Sequence, residues 1–469
     1  DKDNTKNKGE NIKMKKIKVL SGTALAGLLA AVSLTSCGTD NSHTIDFYTT
    51  AGDDLMAILN VAKDDFEKEN SGWTVKITNG FSYDTLKTKV TSTLSANTQP
   101  SLAYCYPDHV ASYLKTGKVL NLQNYIDNSE YGYSKEEWSD FISTYMTEGT
   151  SYVQDGTYSI PMARSTEVLY YNKTVLDANK IAVPTTWDEL WDACAKLKAL
   201  YPKSTPLGYD SESNWIITYL EQYQNKNNAG KLYTDGKKSG SEKILFNNDV
   251  SKAFLKEIKD KFDNGYFTTK SILNSYTSSL FTKYDVKNDN KATYQGSFFS
   301  IGSTGGASKQ EPASGAFDAA VTALPGIDAK NNQTISQGPS LVMFDQGSDE
   351  KAVATWKFVK VLLSTKIQAS YSVASGYNPI RNSVYSDEGF NAGLETKEGL
   401  VKDCILLGQT LGASNSYFTS DAFNGSSVAR TQIGTCVVNV LKITKGQVTD
   451  QKIEDFLKES YDETVYYTK

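Results

Sequence analysis

Thr44-Ile45-Asp46-Phe47-Tyr48-Thr49 places Ile45 and Phe47 on one face of an extended strand, because successive side chains of a strand point to opposite sides. Residues 53–69 follow with Leu55, Ile58, Leu59, Ala62 and Phe66 at helical spacing, and then Trp73, Val75 and Ile77 alternate again. Tyr83, Leu86, Val90 and Leu94 mark a second helix, and residues 101–106 read as a buried strand. Strand, helix, strand, helix, strand in this order predicts a parallel sheet with right-handed crossovers, and so an α/β fold.

The same pattern continues downstream. Thr186-Trp187-Asp188-Glu189 is a capping box for a helix running to about Leu200, with Pro184 barring an earlier start. Residues 249–263 and 350–364 read as two more helices. Trp187 and Trp356 fall within helical hydrophobic patterns, which makes them core residues. Residues 296–347 are rich in Gly, Ser and Pro around two short strands, one near Phe298 and one across 317–324. There is no internal repeat or heptad pattern.

With 469 residues, 39% hydrophobic and 22% charged, the chain fits a soluble protein of two or three domains. Its 49 basic and 54 acidic residues leave a net charge of −5, and the lysines are scattered, so a nucleic-acid partner is not expected. Two His and five Cys disfavour a histidine-rich metal site, and no cofactor is expected. P-loop, HExxH and GxSxG motifs are missing, which leaves no catalytic residue to nominate. A glycoside hydrolase needs only two carboxylates, so a secreted carbohydrate-processing enzyme of that type stands as the alternative function.

The N-terminal region points to the compartment. From Met14, Lys15-Lys16-Ile17-Lys18 precedes an apolar and small-residue stretch over 19–34, the layout of a secretory signal over residues 14–36. Leu34-Thr35-Ser36-Cys37 resembles a bacterial lipobox, whose cysteine thiol takes a diacylglycerol. Cys37 is therefore the expected lipidation site, and residues 37–43 a polar tether. Lys8-Gly9-Glu10 corresponds to a purine-rich coding run where a ribosome-binding site would stand. Residues 1–13 are accordingly expected to be an untranslated or non-native extension, with Met14 the true start. Cys105, Cys194, Cys404 and Cys436 lack CxxC spacing and read as buried free thiols.

Several runs carry a family resemblance. Ile160-Pro161, then Thr166-Glu167-Val168-Leu169-Tyr170-Tyr171-Asn172-Lys173, then Pro184-Thr185-Thr186-Trp187-Asp188-Glu189-Leu190 are similar to the ABC-importer solute-binding proteins of the carbohydrate-uptake class, family 1. Gly338-Pro339-Ser340-Leu341, Ala352-Val353-Ala354-Thr355-Trp356-Lys357-Phe358 and Ser375-Gly376-Tyr377-Asn378-Pro379-Ile380 continue the match in the family's order over nearly the whole mature chain. The resemblance implies an α/β fold of two lobes, periplasmic-binding-protein-like of type II (the Venus-flytrap kind), with hinge strands between them. It places 44–160 plus 296–338 in the N-terminal lobe and 161–295 plus 339–469 in the C-terminal lobe, with crossings near Pro161, residue 296 and Gly338. It further implies a membrane-anchored monomer that captures a small polar solute, a sugar or polyol phosphate, and hands it to ABC permease subunits without catalysis.

The solute is read from the arginines. Only three of the 49 basic residues are arginine: Arg164, Arg381 and Arg430. A planar guanidinium fork suits phosphate. Around Arg430 the chain resembles the glycerol-3-phosphate and glycerophosphodiester binders of the class, in which an arginine at that place holds phosphate. The same match carries Tyr83, Ser165, Trp215, Ser303, Gly338 and Tyr377 onto cleft positions. Where those proteins have an acidic group for the glycerol hydroxyls this chain has Pro107, and Asp108 next door is the expected substitute. Each residue also has a plainer reading: an ion pair for Arg430, core packing for Trp215 and Tyr377, a hinge role for Gly338. Gly302-Ser303-Thr304-Gly305-Gly306 reads either as an anion-binding loop or as an ordinary turn.

Overall fold

The computed structural model describes residues 41–414 and 416–468. The extension over 1–13, the signal over 14–36, the lipidation site Cys37 and most of the tether lie outside the described residues. Twelve strands are present among those described: β1 (Thr44–Tyr48), β2 (Thr74–Thr78), β3 (Leu102–Cys105), β4 (Ile160–Pro161), β5 (Ser165–Asn172), β6 (Leu207–Tyr209), β7 (Phe267–Thr269), β8 (Phe299–Ser303), β9 (Ala319–Ala323), β10 (Thr334–Gln337), β11 (Ser340–Met343) and β12 (Tyr417–Phe418).

The opening run folds as its periodicity predicts. Gly52 precedes the helix Asp53–Glu69, whose buried stripe is Leu59, Ala62 and Phe66. Ser82 caps Tyr83–Ser95 through a reciprocal bond with Thr85, which fixes Tyr83 in the first turn. β1 pairs parallel with β2 and β3, in register Ile45 to Val75 and Phe47 to Leu102. β11 then runs antiparallel beside β3, and β4 beside β11, giving the order β2-β1-β3-β11-β4. Phe47, Phe66 and Phe358 interlock edge to face within one buried cluster that also holds Trp356 and Tyr371. Each such side chain contributes about 1.5–3 kcal/mol by leaving water.

The second sheet is built on β5, whose eight residues are nearly all buried. β8 pairs with it on one edge; β10 and β9 share the other edge in succession. β6 and β7 extend the β8 side, and β12 joins β10. The helix Trp187–Leu200, opened by the Thr186–Glu189 capping box, supplies Trp187, Leu190 and Trp191 to this core.

The lobe boundaries differ from the sequence expectation. Residues 299–337 supply β8, β9 and β10 to the second sheet, not the first. β11 and the helices Asp349–Leu362 and Thr365–Ser375 pack on the first sheet, although 339–469 was assigned wholly to the other lobe. The physical reason is β5: a strand that long and buried needs hydrogen-bonded neighbours on both edges, and β8 and β9 provide them. The chain passes between sheets after Pro161 and at Gly338, as expected, but not at residue 296. Residues 376–380 lie against the first of these crossings, where Asn378 exchanges two backbone hydrogen bonds with Arg164, at 3.0 and 2.6 Å. Cys105, Cys194, Cys404 and Cys436 are buried free thiols.

Candidate binding cleft

A cavity of about 370 Å³ opens between the sheets, walled by residues of both lobes, with Gly338 at the crossing. On the first-lobe side lie Tyr83, Lys87, Tyr106, Pro107 and Asp108. Tyr83 and Tyr106 stack with ring centroids 3.9 Å apart at 20°, and burial pushes both phenols above their ordinary pKa. Tyr106 follows the C-terminal end of β3, so the wall is built where a parallel sheet ordinarily presents its ligand groups. His109, in the same short helix as Asp108, has its imidazole pushed down by burial and accepts from the Tyr106 N–H at 3.4 Å.

The opposite wall comes from the second lobe. The helix Ser426–Lys442 starts here after Gly425, with no side chain capping its N-terminus. Its open N–H groups and the helix dipole make this end favourable to negative charge. Arg430 projects from its second turn, and Lys87 of the first lobe reaches across to donate to the Ser427 hydroxyl at 2.9 Å. Among the described residues Arg430 has no carboxylate partner; its guanidinium donates to the amide oxygen of Asn214. The other two arginines differ. Arg164 is fully buried and pairs with Glu148 at 2.6 Å, and Arg381 pairs with Asp140 at 2.6 Å while lying 4.8 Å from the Phe141 ring.

Gly338 is demanded by space. A Cβ there would stand 2.2 Å from the carbonyl oxygen of Ala163, so any side chain would push the two crossing segments apart. A second chamber of about 300 Å³ adjoins the first through Tyr83, with Phe81, Tyr104, Tyr371 and Tyr377 around it.

Of the residues named from sequence, Tyr83, Asp108, Gly338 and Arg430 line the main cavity and Tyr377 the adjoining chamber. Ser165 is displaced: it is buried at the start of β5, donating to the Gln337 carbonyl at 3.2 Å. Ser303 is exposed and accepts from the Gly305 N–H, closing a turn outside both chambers. The glycine run around it packs on Tyr377, whose ring would lie 3.1 Å from a Cβ on Gly305. Trp215 must be corrected outright. It is 1% exposed and enclosed by Trp187, Trp191, Tyr209, Phe254 and Phe267, which makes it a core residue. Its neighbour Asn214, about 100° round the helix, is the one that faces the cleft.

Sequence reasoning missed Asn214, Tyr106, Lys87 and Glu167. Glu167 had a usable signal: a carboxylate directly before the apolar run Val168-Leu169-Tyr170, in a strand that reads as buried, requires buried partners.

Residues 62–396 match the family model described as bacterial extracellular solute-binding protein. The chain belongs to that family. This solute-binding protein acts outside the cytoplasm and binds its solute without catalysis. It is 26% identical over 280 residues to the sn-glycerol-3-phosphate-binding periplasmic protein UgpB of Brucella abortus, covering 58% of this chain and 59% of that one. It is 24% identical over 420 residues to the multiple sugar-binding protein of Streptococcus mutans, covering 87% and 92%. Among solved structures it resembles UgpB from Mycobacterium tuberculosis in complex with glycerophosphocholine, at a TM-score of 0.67 and 17% identity over 90% of this chain and 98% of that one. The cyclic alpha-maltosyl-1,6-maltose binding protein from Arthrobacter globiformis gives 0.67 at 16% identity with the same coverage. These neighbours share the two-lobed α/β fold.

Proposed function

We propose that this solute-binding protein captures a phosphate-bearing polyol, glycerol-3-phosphate or a glycerophosphodiester, and delivers it to the membrane subunits of an ABC importer. The observation that carries this reading is Arg430, set near an uncapped helix N-terminus and hydrogen-bonded to a neutral amide, so that its charge is not cancelled by a carboxylate. Phosphate there gains charge-assisted hydrogen bonds from the guanidinium, with Lys87 and the Ser427 hydroxyl close by. Asp108 and the Tyr106 ring face the glycerol part from the other lobe, so one solute spans both walls and holds them together. The lipobox-like run ending at Cys37 supports tethering to the cell membrane by a lipid on that cysteine.

A neutral mono- or oligosaccharide is the second reading. It is favoured by the aromatic second chamber, whose rings offer stacking faces and whose lining includes no basic side chain. A thermal-shift series with glycerol-3-phosphate, glycerophosphocholine and maltose separates the two. A solute at a hundred times its Kd adds about 2.7 kcal/mol of stability. Stabilisation by the phosphate compounds alone is the expected result, and stabilisation by the sugar alone would replace the first reading with the second.

A further inference from the structure

Behind Arg430 a chain of polar groups runs from the cleft wall at Asn214 and Gln337 into the core of the second sheet at Glu167. Glu167 is 4% exposed on β5; one carboxylate oxygen accepts from the Tyr209 hydroxyl at 2.6 Å and the other from the Asn214 amide nitrogen at 2.8 Å. The same Asn214 nitrogen donates to Oε1 of Gln337 at 2.9 Å. With both amide hydrogens committed to acceptors, the Asn214 oxygen is left to face Arg430, which donates to it. Donor and acceptor roles thus follow one another from the sheet core to the cleft, and Gln337 ties them to the crossing at Gly338.

We propose that Glu167, acting through Asn214, is a positioning residue for Arg430, fixing the amide that presents the guanidinium to an anionic solute in the cleft. The inference rests on the phosphate reading given above. A carboxylate placed directly on Arg430 would consume its charge, as Glu148 does for Arg164. An amide set between them transmits orientation without neutralising the guanidinium, and Glu167 fixes which way that amide points.

The arrangement also couples Glu167 to the solute. Burial pushes its carboxyl up to about 7, against the Tyr209 and Asn214 hydrogen bonds and the Arg430 charge, which favour ionisation, while Asp210 adds to the upward push. Those are the charged and titratable groups that face it, Tyr209 and Asp210 from the β6 segment and Arg430 from its helix. An anion on Arg430 offsets the pull that keeps Glu167 ionised, so binding takes up a proton, and affinity falls as pH rises through about 7. His109 in the opposite wall titrates below its ordinary 6.5 and so acts in a lower pH window.

The test is calorimetric titration of the protein with glycerophosphocholine, a diester whose phosphate keeps one negative charge across the range. Between about pH 6.5 and about pH 8.5 the Kd of the native protein is expected to weaken about three- to tenfold, with proton uptake visible in buffers of different ionisation enthalpy. Glu167→Gln keeps an acceptor for Asn214 and removes the charge. It should flatten the profile and bind more tightly than the native protein at the upper pH. A pH-independent Kd without proton uptake in the native protein overturns the role of Glu167 and leaves the phosphate reading standing. No diester binding at any pH overturns both.

Discussion

Arg164 and Arg430 are both held by hydrogen bonds, yet they sit in opposite electrostatic situations. Arg164 lies where the crossing segments meet, paired with Glu148 and donating to the Gly338 carbonyl and the Ser340 hydroxyl, both at 3.3 Å; that hydroxyl donates in turn to Glu148 at 2.7 Å. Its charge is fully used inside the protein. Arg430 meets an amide in place of a carboxylate, and its charge is left for whatever enters the cleft. The type of partner, more than burial, separates an arginine that braces the hinge from one that receives a solute.

The largest effect that would break this comparison is expected at the hinge. Arg164→Met leaves the Glu148 carboxylate buried without its counter-charge and should cost about 3–5 kcal/mol in urea denaturation. Adding Glu148→Gln should restore most of that loss, because a neutral pair carries no unpaired charge. A loss below about 1 kcal/mol in the single variant would mean that Arg164 is no more committed than a surface arginine.

Next comes the wall behind Arg430. Trp215→Ala removes a core side chain ringed by aromatics and should cost about 3–5 kcal/mol of stability. Solute affinity of the folded fraction should stay within about twofold, since the ring touches no part of the cleft. A weakened Kd at unchanged stability would return Trp215 to the site where the sequence resemblance placed it.

The two regions were not equally legible in the sequence. The first βαβαβ run could be read directly, because Ile45, Phe47, Leu59, Phe66, Val90 and Leu94 repeat with the periods of strand and helix, and each is buried as that pattern demands. The resemblance put residues 296–338 in the first lobe: their strands β8, β9 and β10 are four or five residues long, set among Gly and Ser, and it is their pairing with β5 that puts them in the second sheet. In the cleft, Arg430 stood out because arginine is so rare in this chain. Trp215 was misplaced by a single position, since adjacent helical residues look in directions about 100° apart and only the tertiary packing shows that Asn214 is the one facing inward. Ser303 was lost for a related reason, because a hydroxyl at a strand end can as well close its own turn as meet a ligand.

The smallest expected change tests the central claim most directly. Arg430→Lys keeps the positive charge and removes the planar fork, so the fold should be almost untouched. Titrated with glycerol-3-phosphate and with maltose, the variant should bind the phosphate compound roughly tenfold or more weakly than the native protein, about 1.4 kcal/mol, with any sugar binding unchanged. Equal affinity for the phosphate compound in variant and parent would contradict the account, because Arg430 would then not be the group that holds the solute.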